Sequence, residues 1–276
     1  MFKTEYYDDK IVIKDISNFD LAQTLDCGQA FRWEKDDNDV WRGIAGKKYI
    51  EIFKENNDVV ILNSNKEDFE NFWYNYFDLD CDYGKIIDNL SADSILKSAC
   101  DYGSGIRILK QDPWEALCSF IISQNNNIPR INGIIERLCE NFGDKCGNTY
   151  TFPDAEKIAT LTTDDLSVLK CGFRARYIID AAQKVASGEI NLDVLKTLDT
   201  DSARNILMTI TGVGPKVADC TLLFGLYRID AFPKDVWIKR AMETLFPDGL
   251  PQCAKECPGI VQQYIFYYSR SGNLNI

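Results

Sequence analysis

The chain has no histidine among its 276 residues. That absence removes Ser–His and Cys–His nucleophile pairs and every metal centre built on imidazole. A base or nucleophile must come from Asp, Glu, Lys, Cys or Tyr. No run approaches the ~18 apolar residues that cross a bilayer. The opening MFKTEYYDDK is acidic and has no apolar core, so a secretory leader is not expected. These absences predict a soluble, intracellular (cytoplasmic) protein with no membrane partner. Cationic charge is also scarce: 31 Lys+Arg stand against 42 Asp+Glu, a net −11. Such a balance argues against nucleic-acid binding, where a basic footprint is expected. The deficit is uneven, however, with 12 Lys+Arg against 21 Asp+Glu in residues 1–100 and 19 against 21 beyond.

What is present is an ordinary globular composition, 45% apolar and 26% charged, long enough for one large or two smaller domains. The ten cysteines are scattered through helical patterns, and Cys253-x3-Cys257 is the only tight pair. Reduced, mostly buried thiols are expected, with no zinc site. Residues 10–63 carry short apolar or alternating runs (KIVIKD, AFRWEK, VWRGIAG, KKYIEIFK, DVVILN) separated by polar turns. They predict an antiparallel sheet with one buried face. Helical spacing takes over at 66–77 and 94–102. The fold class is α+β, an N-terminal antiparallel β-sheet domain with helices over 1–105 followed by a helical domain over 106–276.

Residues 203–240, ARNILMTITGVGPKVADCTLLFGLYRIDAFPKDVWIKR, organise the rest. ARNILMTI has helical spacing, Thr211–Gly214 interrupts it, and Pro215 suits the first turn of a second helix running from about Lys216 to Leu226. Glycines between two helices let backbone N–H groups approach a ligand, and the helix start adds partial positive charge. Phosphate fits such a site without a basic side chain. Lys216 lies in that first turn, beside the partial positive charge of the helix N-terminus. Cys220 shares its face four residues on, and Asp219 can do so too. Asp235, nineteen residues after Lys216, is placed as the N-cap of a third helix.

A second run, residues 108–142, predicts a helix begun by Asp112-Pro113, a turn at Ser123–Asn127, and another helix over Ile128–Phe142. Three asparagines between apolar helices serve either as polar caps or as readers of an unpaired base edge. Phe173-Arg174 opens a further helix, by residue type alone an ordinary amphipathic start. PGIVQQYIFYYSRSG near the C-terminus has an aromatic stripe that reads equally as core.

GVGPKVADC with its spaced aspartate resembles the helix-hairpin-helix, Gly/Pro-rich-loop, Asp superfamily of DNA glycosylases, and a lysine at 216 resembles its bifunctional glycosylase/AP-lyase members. Leu25–Trp33, residues 108–142 and the C-terminal helix narrow the resemblance to the 8-oxoguanine DNA glycosylases, over about residues 20–270. The resemblance implies excision of 8-oxoguanine from duplex DNA by Lys216 attack at C1′, with Asp235 stabilising the sugar, then β-elimination at the abasic site. It implies a lesion-base pocket of Gly28, Cys220, Gln262 and Phe266. Gly28 offers a carbonyl to the N7 hydrogen that distinguishes 8-oxoguanine from guanine. Asn125, Arg130 and Arg174 address the opposite base, and Phe173 stands where the family has a tyrosine wedge.

Phosphate contacts are implied at the N–H groups of Gly212, Gly214 and Val217. A monovalent structural cation is implied on the carbonyls of Met208, Ile210 and Val213. No cofactor is required for the chemistry. The four clustered C-terminal cysteines of the iron–sulphur branch are missing, so no cluster is expected. Trp237 departs from the family, which usually has a histidine there. The expected partner is duplex DNA containing 8-oxoguanine, bound by a monomer, nucleoid-associated if the host is bacterial. Two rival readings are a glycosylase for another damaged base and a non-catalytic duplex-binding hairpin module. An unrelated acidic scaffold is a third, and leaves these motifs unexplained.

Overall fold

The apolar triplets Ile11-Val12-Ile13 and Val59-Val60-Ile61 become adjacent strands at the heart of the sheet. In the computed structural model, which describes residues 2–272, the sheet has six strands in the order β1-β2-β6-β5-β4-β3. They are β1 Lys3–Tyr6, β2 Lys10–Lys14, β3 Trp33–Lys35, β4 Trp41–Ala45, β5 Lys48–Glu55 and β6 Asp58–Leu62. β2 and β6 pair antiparallel with Ile11 opposite Ile61 and Ile13 opposite Val59, and both triplets are wholly buried. The expectation of one buried face therefore fails at these strands. Adjacent strand residues point to opposite faces, so an unbroken apolar triplet is the pattern of a strand covered on both. Alternation survives in β5, where Ile50 and Ile52 are buried between half-buried neighbours.

Aromatic residues consolidate this sheet. Phe69, Trp73 and Phe77 recur every four residues and are buried. Trp73 stacks on Phe77 with centroids 5.6 Å apart, and Trp33 of β3 packs against both. The helical stretch expected over 66–77 is real but not uniform, since Phe69–Trp73 forms a π-helical turn between short α segments.

The Pro113–Ser123 helix starts as expected, with Pro113 in its first turn and Asp112 accepting from the Glu115 N–H at 2.9 Å. Trp114 and every residue of 116–122 are buried, which makes it an interior helix, apolar all round. Ile128–Phe142 follows, capped by Asn127. The helix expected to continue from Lys216 to Leu226 is α-helical only over Pro215–Cys220 and turns π-helical over Thr221–Gly225. Gly225 lies so close to the Pro113–Ser123 helix that a Cβ there would be 3.0 Å from Ala116 Cβ and from Pro113 Cα.

The chain divides into two compact units, one of Met1–Gly43, Tyr49–Lys110 and Phe232–Ile276, the other of Ile44–Lys48 and Gln111–Ala231. A cut at residue 105 follows the chain in order, whereas the Pro258–Arg270 helix packs on Ser94–Tyr102 and Val236–Leu245 inside the first unit. All ten cysteines are free thiols, seven of them buried. Among the described residues no helix is long and apolar enough to cross a membrane.

Candidate active site

The second unit carries the hairpin. Its first helix, Thr200–Leu207, is capped by Asp199. The connecting turn is tied down twice, by the Thr211 N–H donating to Asp180 at 2.7 Å and by Lys184 donating to the Thr209 carbonyl at 2.5 Å. Val213 donates back to the Ile210 carbonyl at 3.0 Å. Gly212 sits at φ +79, and a Cβ on it would lie 2.4 Å from the Tyr177 ring. Only glycine suits that point. Gly214 is the N-cap of Pro215–Cys220, in extended backbone. The first-turn N–H groups of this helix, Val217 included, have no intrahelical acceptor and remain available to a ligand.

Lys216 is half-buried. Its Nζ lies 3.3 Å from Ser123 Oγ and 5.2 Å from the centroid of Phe120. Asp219, a candidate neighbour by spacing, is instead spent on Arg204, which donates to it at 2.5 Å. Cys220 is buried at 3% exposure. Ser123 was not singled out by sequence reasoning. It ends the Pro113–Ser123 helix, and its hydroxyl donates to the Phe120 carbonyl at 2.8 Å. That bond turns its lone pairs to the amine.

The asparagine turn splits into two roles. Asn126 donates to the Ile122 carbonyl at 3.1 Å, and Asn127 accepts from the Arg130 N–H at 3.1 Å. Both are caps. Asn125 differs: it is exposed, at φ +47, a left-handed conformation that asparagine tolerates better than most residues. Arg130 is exposed as well, and Phe173 is 47% exposed. Arg174, by contrast, is only 3% exposed. It donates to the carbonyls of Gln124 (3.0 Å), Asn125 (3.1 Å) and Cys171 (3.1 Å), and lies 4.5 Å from the Phe173 ring. Burial, then the charge of Arg130, lowers its guanidinium below the ordinary value. Arg174 here braces the turn that presents Asn125.

The first unit carries the remaining candidates. Gly28 is at φ +83, and the residues either side of it are anchored. The Cys27 carbonyl accepts from Gln263 at 3.0 Å, while Gln29 donates to the carbonyls of Thr24 and Arg107, both at 2.8 Å. Sequence reasoning did not find Gln29 or Gln263; a buried glutamine has no signature until its partners are known. Gln262 is 5% exposed, and its Oε1 has no hydrogen-bond partner among the described residues. Phe266 is half-buried, with the Arg270 guanidinium 5.4 Å from its ring. Asp235 is the expected N-cap, accepting from the Ile238 N–H at 2.8 Å. Trp237 is 38% exposed. A cleft of about 1100 Å³ in this unit, lined by Lys14, Asn18, Asp58, Tyr83 and Arg107 among others, contains none of these candidates.

Two helices joined by Gly-Val-Gly-Pro, a lysine on the second, and an N-capping aspartate nineteen residues later define a class: the helix-hairpin-helix base excision repair proteins. Residues 118–251 match the family described as HhH-GPD superfamily base excision DNA repair protein. Residues 11–117 match 8-oxoguanine DNA glycosylase, N-terminal domain. The chain is 34% identical over 249 residues to the N-glycosylase/DNA lyase of Saccharomyces cerevisiae, covering 80% of this chain and 66% of the yeast protein. It is 31% identical over 216 residues to a probable N-glycosylase/DNA lyase of Methanothermobacter thermautotrophicus, covering 66% of this chain and 69% of that protein. It thus spans about two thirds of the length of these curated relatives. The solved structure of Clostridium acetobutylicum 8-oxoguanine glycosylase/lyase, in complex with dsDNA containing cytosine opposite to 8-oxoG, matches with a TM-score of 0.91 at 41% identity, covering 99% of both chains. The chain belongs to the 8-oxoguanine DNA glycosylase family.

Proposed function

We propose that this protein excises 8-oxoguanine from duplex DNA and then nicks the strand at the abasic site. It is a DNA N-glycosylase with AP lyase activity. The observation that carries this reading is the setting of Lys216. Within its own unit no carboxylate pairs with its amine, because Asp219 is taken by Arg204, and a hydroxyl and an aromatic face surround it instead. A nucleophilic lysine needs such a setting. Its Nζ attacks C1′ as the bond from C1′ to the base breaks, and the base departs with a proton. The resulting amine adduct opens to a Schiff base, loss of a C2′ proton expels the 3′ phosphate by β-elimination, and hydrolysis frees the lysine.

Asp235 stabilises the cationic sugar during base departure. The flipped base is read by the Gly28 carbonyl and Gln262, with Phe266 and Cys220 against its faces. Flipping costs a few kcal/mol in unstacking. Asn125 and Arg130 address the opposite base, Phe173 fills the vacated stack, and Arg174 supports them. The N–H groups of Gly212, Gly214 and Val217 hold phosphate. A monovalent cation on the carbonyls of Met208, Ile210 and Val213 would add positive charge beside that phosphate. The protein acts as a monomer inside the cell, nucleoid-associated in a bacterial host; its ten cysteines, all in the reduced form, fit a reducing compartment.

The test is borohydride trapping on a labelled duplex with one 8-oxoguanine opposite cytosine, beside Lys216→Gln. The expected result is a covalent band for the wild type alone. Base release without a band would remove Lys216 as the nucleophile. Neither release nor band would move the reading to another damaged base.

A further inference from the structure

The cations of this acidic chain are not distributed like its acids. At least nine of the 12 Lys and Arg in residues 1–100 are held in ion pairs. Among the described residues Lys234, Lys239 and Arg240 form none, although Asp235 lies among them. The Asp235 carboxylate caps the Val236–Leu245 helix instead. Glu243, on the same helix, pairs with neither Lys239 nor Arg240 among the described residues. Among its described residues, a chain with net charge −11 thus leaves three cations without an ion pair in seven residues, around its proposed catalytic aspartate.

Arg240 is distinct among them. Trp237 and Arg240 are three apart and share a helix face, beside the buried Ile238 and Ala241. The Arg240 guanidinium lies 5.9 Å from the Trp237 ring centroid, within cation–π range. The indole is 38% exposed and the adjoining Val236 side chain 62% exposed. An exposed ring that supports an unpaired guanidinium limits its motion while leaving its outer N–H fork open. That fork matches a phosphate. Arg240 stands five residues past the cap, about 7.5 Å along the axis at ~1.5 Å per residue. A duplex strand presents a phosphate every ~3.4 Å of its axis, so the nucleotide served by Asp235 brings flanking phosphates within reach of this side chain.

We propose that Arg240, supported on Trp237, is a phosphate-binding residue for the DNA strand. The assignment rests on the functional reading above and adds a residue to it. It also resolves how an acidic protein grips DNA: part of the grip is backbone N–H groups, and part is a few cations kept free of acid.

The experiment measures affinity for 8-oxoguanine-containing and undamaged duplexes across a salt series, for wild type, Arg240→Gln, Arg240→Lys, Trp237→Ala and Lys255→Gln. Lys255 is exposed in the same unit and outside the patch. Losing one phosphate contact lowers the slope of log K against log salt by about 0.9 and affinity by about fivefold near ~0.15 M salt. Arg240→Gln is expected to show both on both duplexes with melting temperature unchanged. Arg240→Lys should recover the slope, and Trp237→Ala should weaken binding with little change in slope. An Arg240→Gln slope equal to that of wild type, or a loss matched by Lys255→Gln, overturns the assignment. A wild type that binds DNA with the expected Arg240 dependence but releases no 8-oxoguanine overturns the functional reading alone.

Discussion

Arg174 reaches Asn125 through the main chain, its Nη2 donating to the Asn125 carbonyl at 3.1 Å. The same guanidinium holds Gln124 and Cys171, so the residue implied as a base reader is also a buried brace. Arg174→Lys keeps the charge but cannot serve three carbonyls at once. A loss of about 2–3 kcal/mol in urea unfolding is expected, together with a fall in the ratio of excision opposite cytosine to excision opposite adenine. Lost preference with full stability would put the guanidinium on the base and not on the turn.

Gln262 and Gln263 are neighbours with opposite consequences. Gln263→Leu strips the Cys27 carbonyl of its donor and is expected to cost about 1–3 kcal/mol. Gln262→Leu removes a side chain whose oxygen is already unpartnered among the described residues, so stability should hold or rise. Excision of 8-oxoguanine should nevertheless fall at least tenfold, about 1.4 kcal/mol of transition-state stabilisation. Equal losses of stability in the two variants would assign Gln262 to the core.

The two hairpin glycines are separable. Gly212→Ala combines φ +79 with a 2.4 Å approach to Tyr177 and should destabilise by about 2 kcal/mol or more. A Cβ at Gly214 meets no atom within 4 Å, so Gly214→Ala should melt like wild type. If phosphate approaches that backbone, its DNA affinity drops all the same. Unchanged affinity in a folded Gly214→Ala protein would move the phosphate site elsewhere.

Burial pushes the Cys27 and Cys100 thiols up to about 12, from an ordinary value of 9.0. In the unfolded chain such thiols ionise near pH 9, and in the folded chain not until about pH 12. Between those limits the unfolded state holds fewer protons, so stability present below pH 9 is lost as pH rises, by up to about 1.4 kcal/mol per thiol per pH unit. Denaturant midpoints should be level from pH 7 to 8.5 and fall beyond it, less steeply in Cys27→Ala. A level midpoint to pH 10.5 would contradict this.

Local chemistry was legible wherever it is local. Asp112-Pro113, Asn127 and Asp235 start their helices as caps because a cap needs only its own next three residues. Gly212 is required by its own backbone angle. Strand β1 was missed because Lys-Thr-Glu-Tyr has no apolar face of its own; it exists by pairing with β2. The π-helical turns at Phe69–Trp73 and Thr221–Gly225 have the same periodicity to the eye as α-helix.

The sequence by itself determined the chemistry on offer: no imidazole, a lysine at the hairpin's second helix, an aspartate nineteen residues on, and a family resemblance that assigns each a role. Only the tertiary structure decided which groups are free to act. Asp219 is consumed by Arg204, Asn126 and Asn127 by caps, and Arg174 by three carbonyls, while Asn125, Gln262 and Arg240 keep hydrogen-bonding capacity in reserve. The reason is that a polar side chain's availability depends on partners brought from distant parts of the chain, and residue type and spacing do not encode those partners.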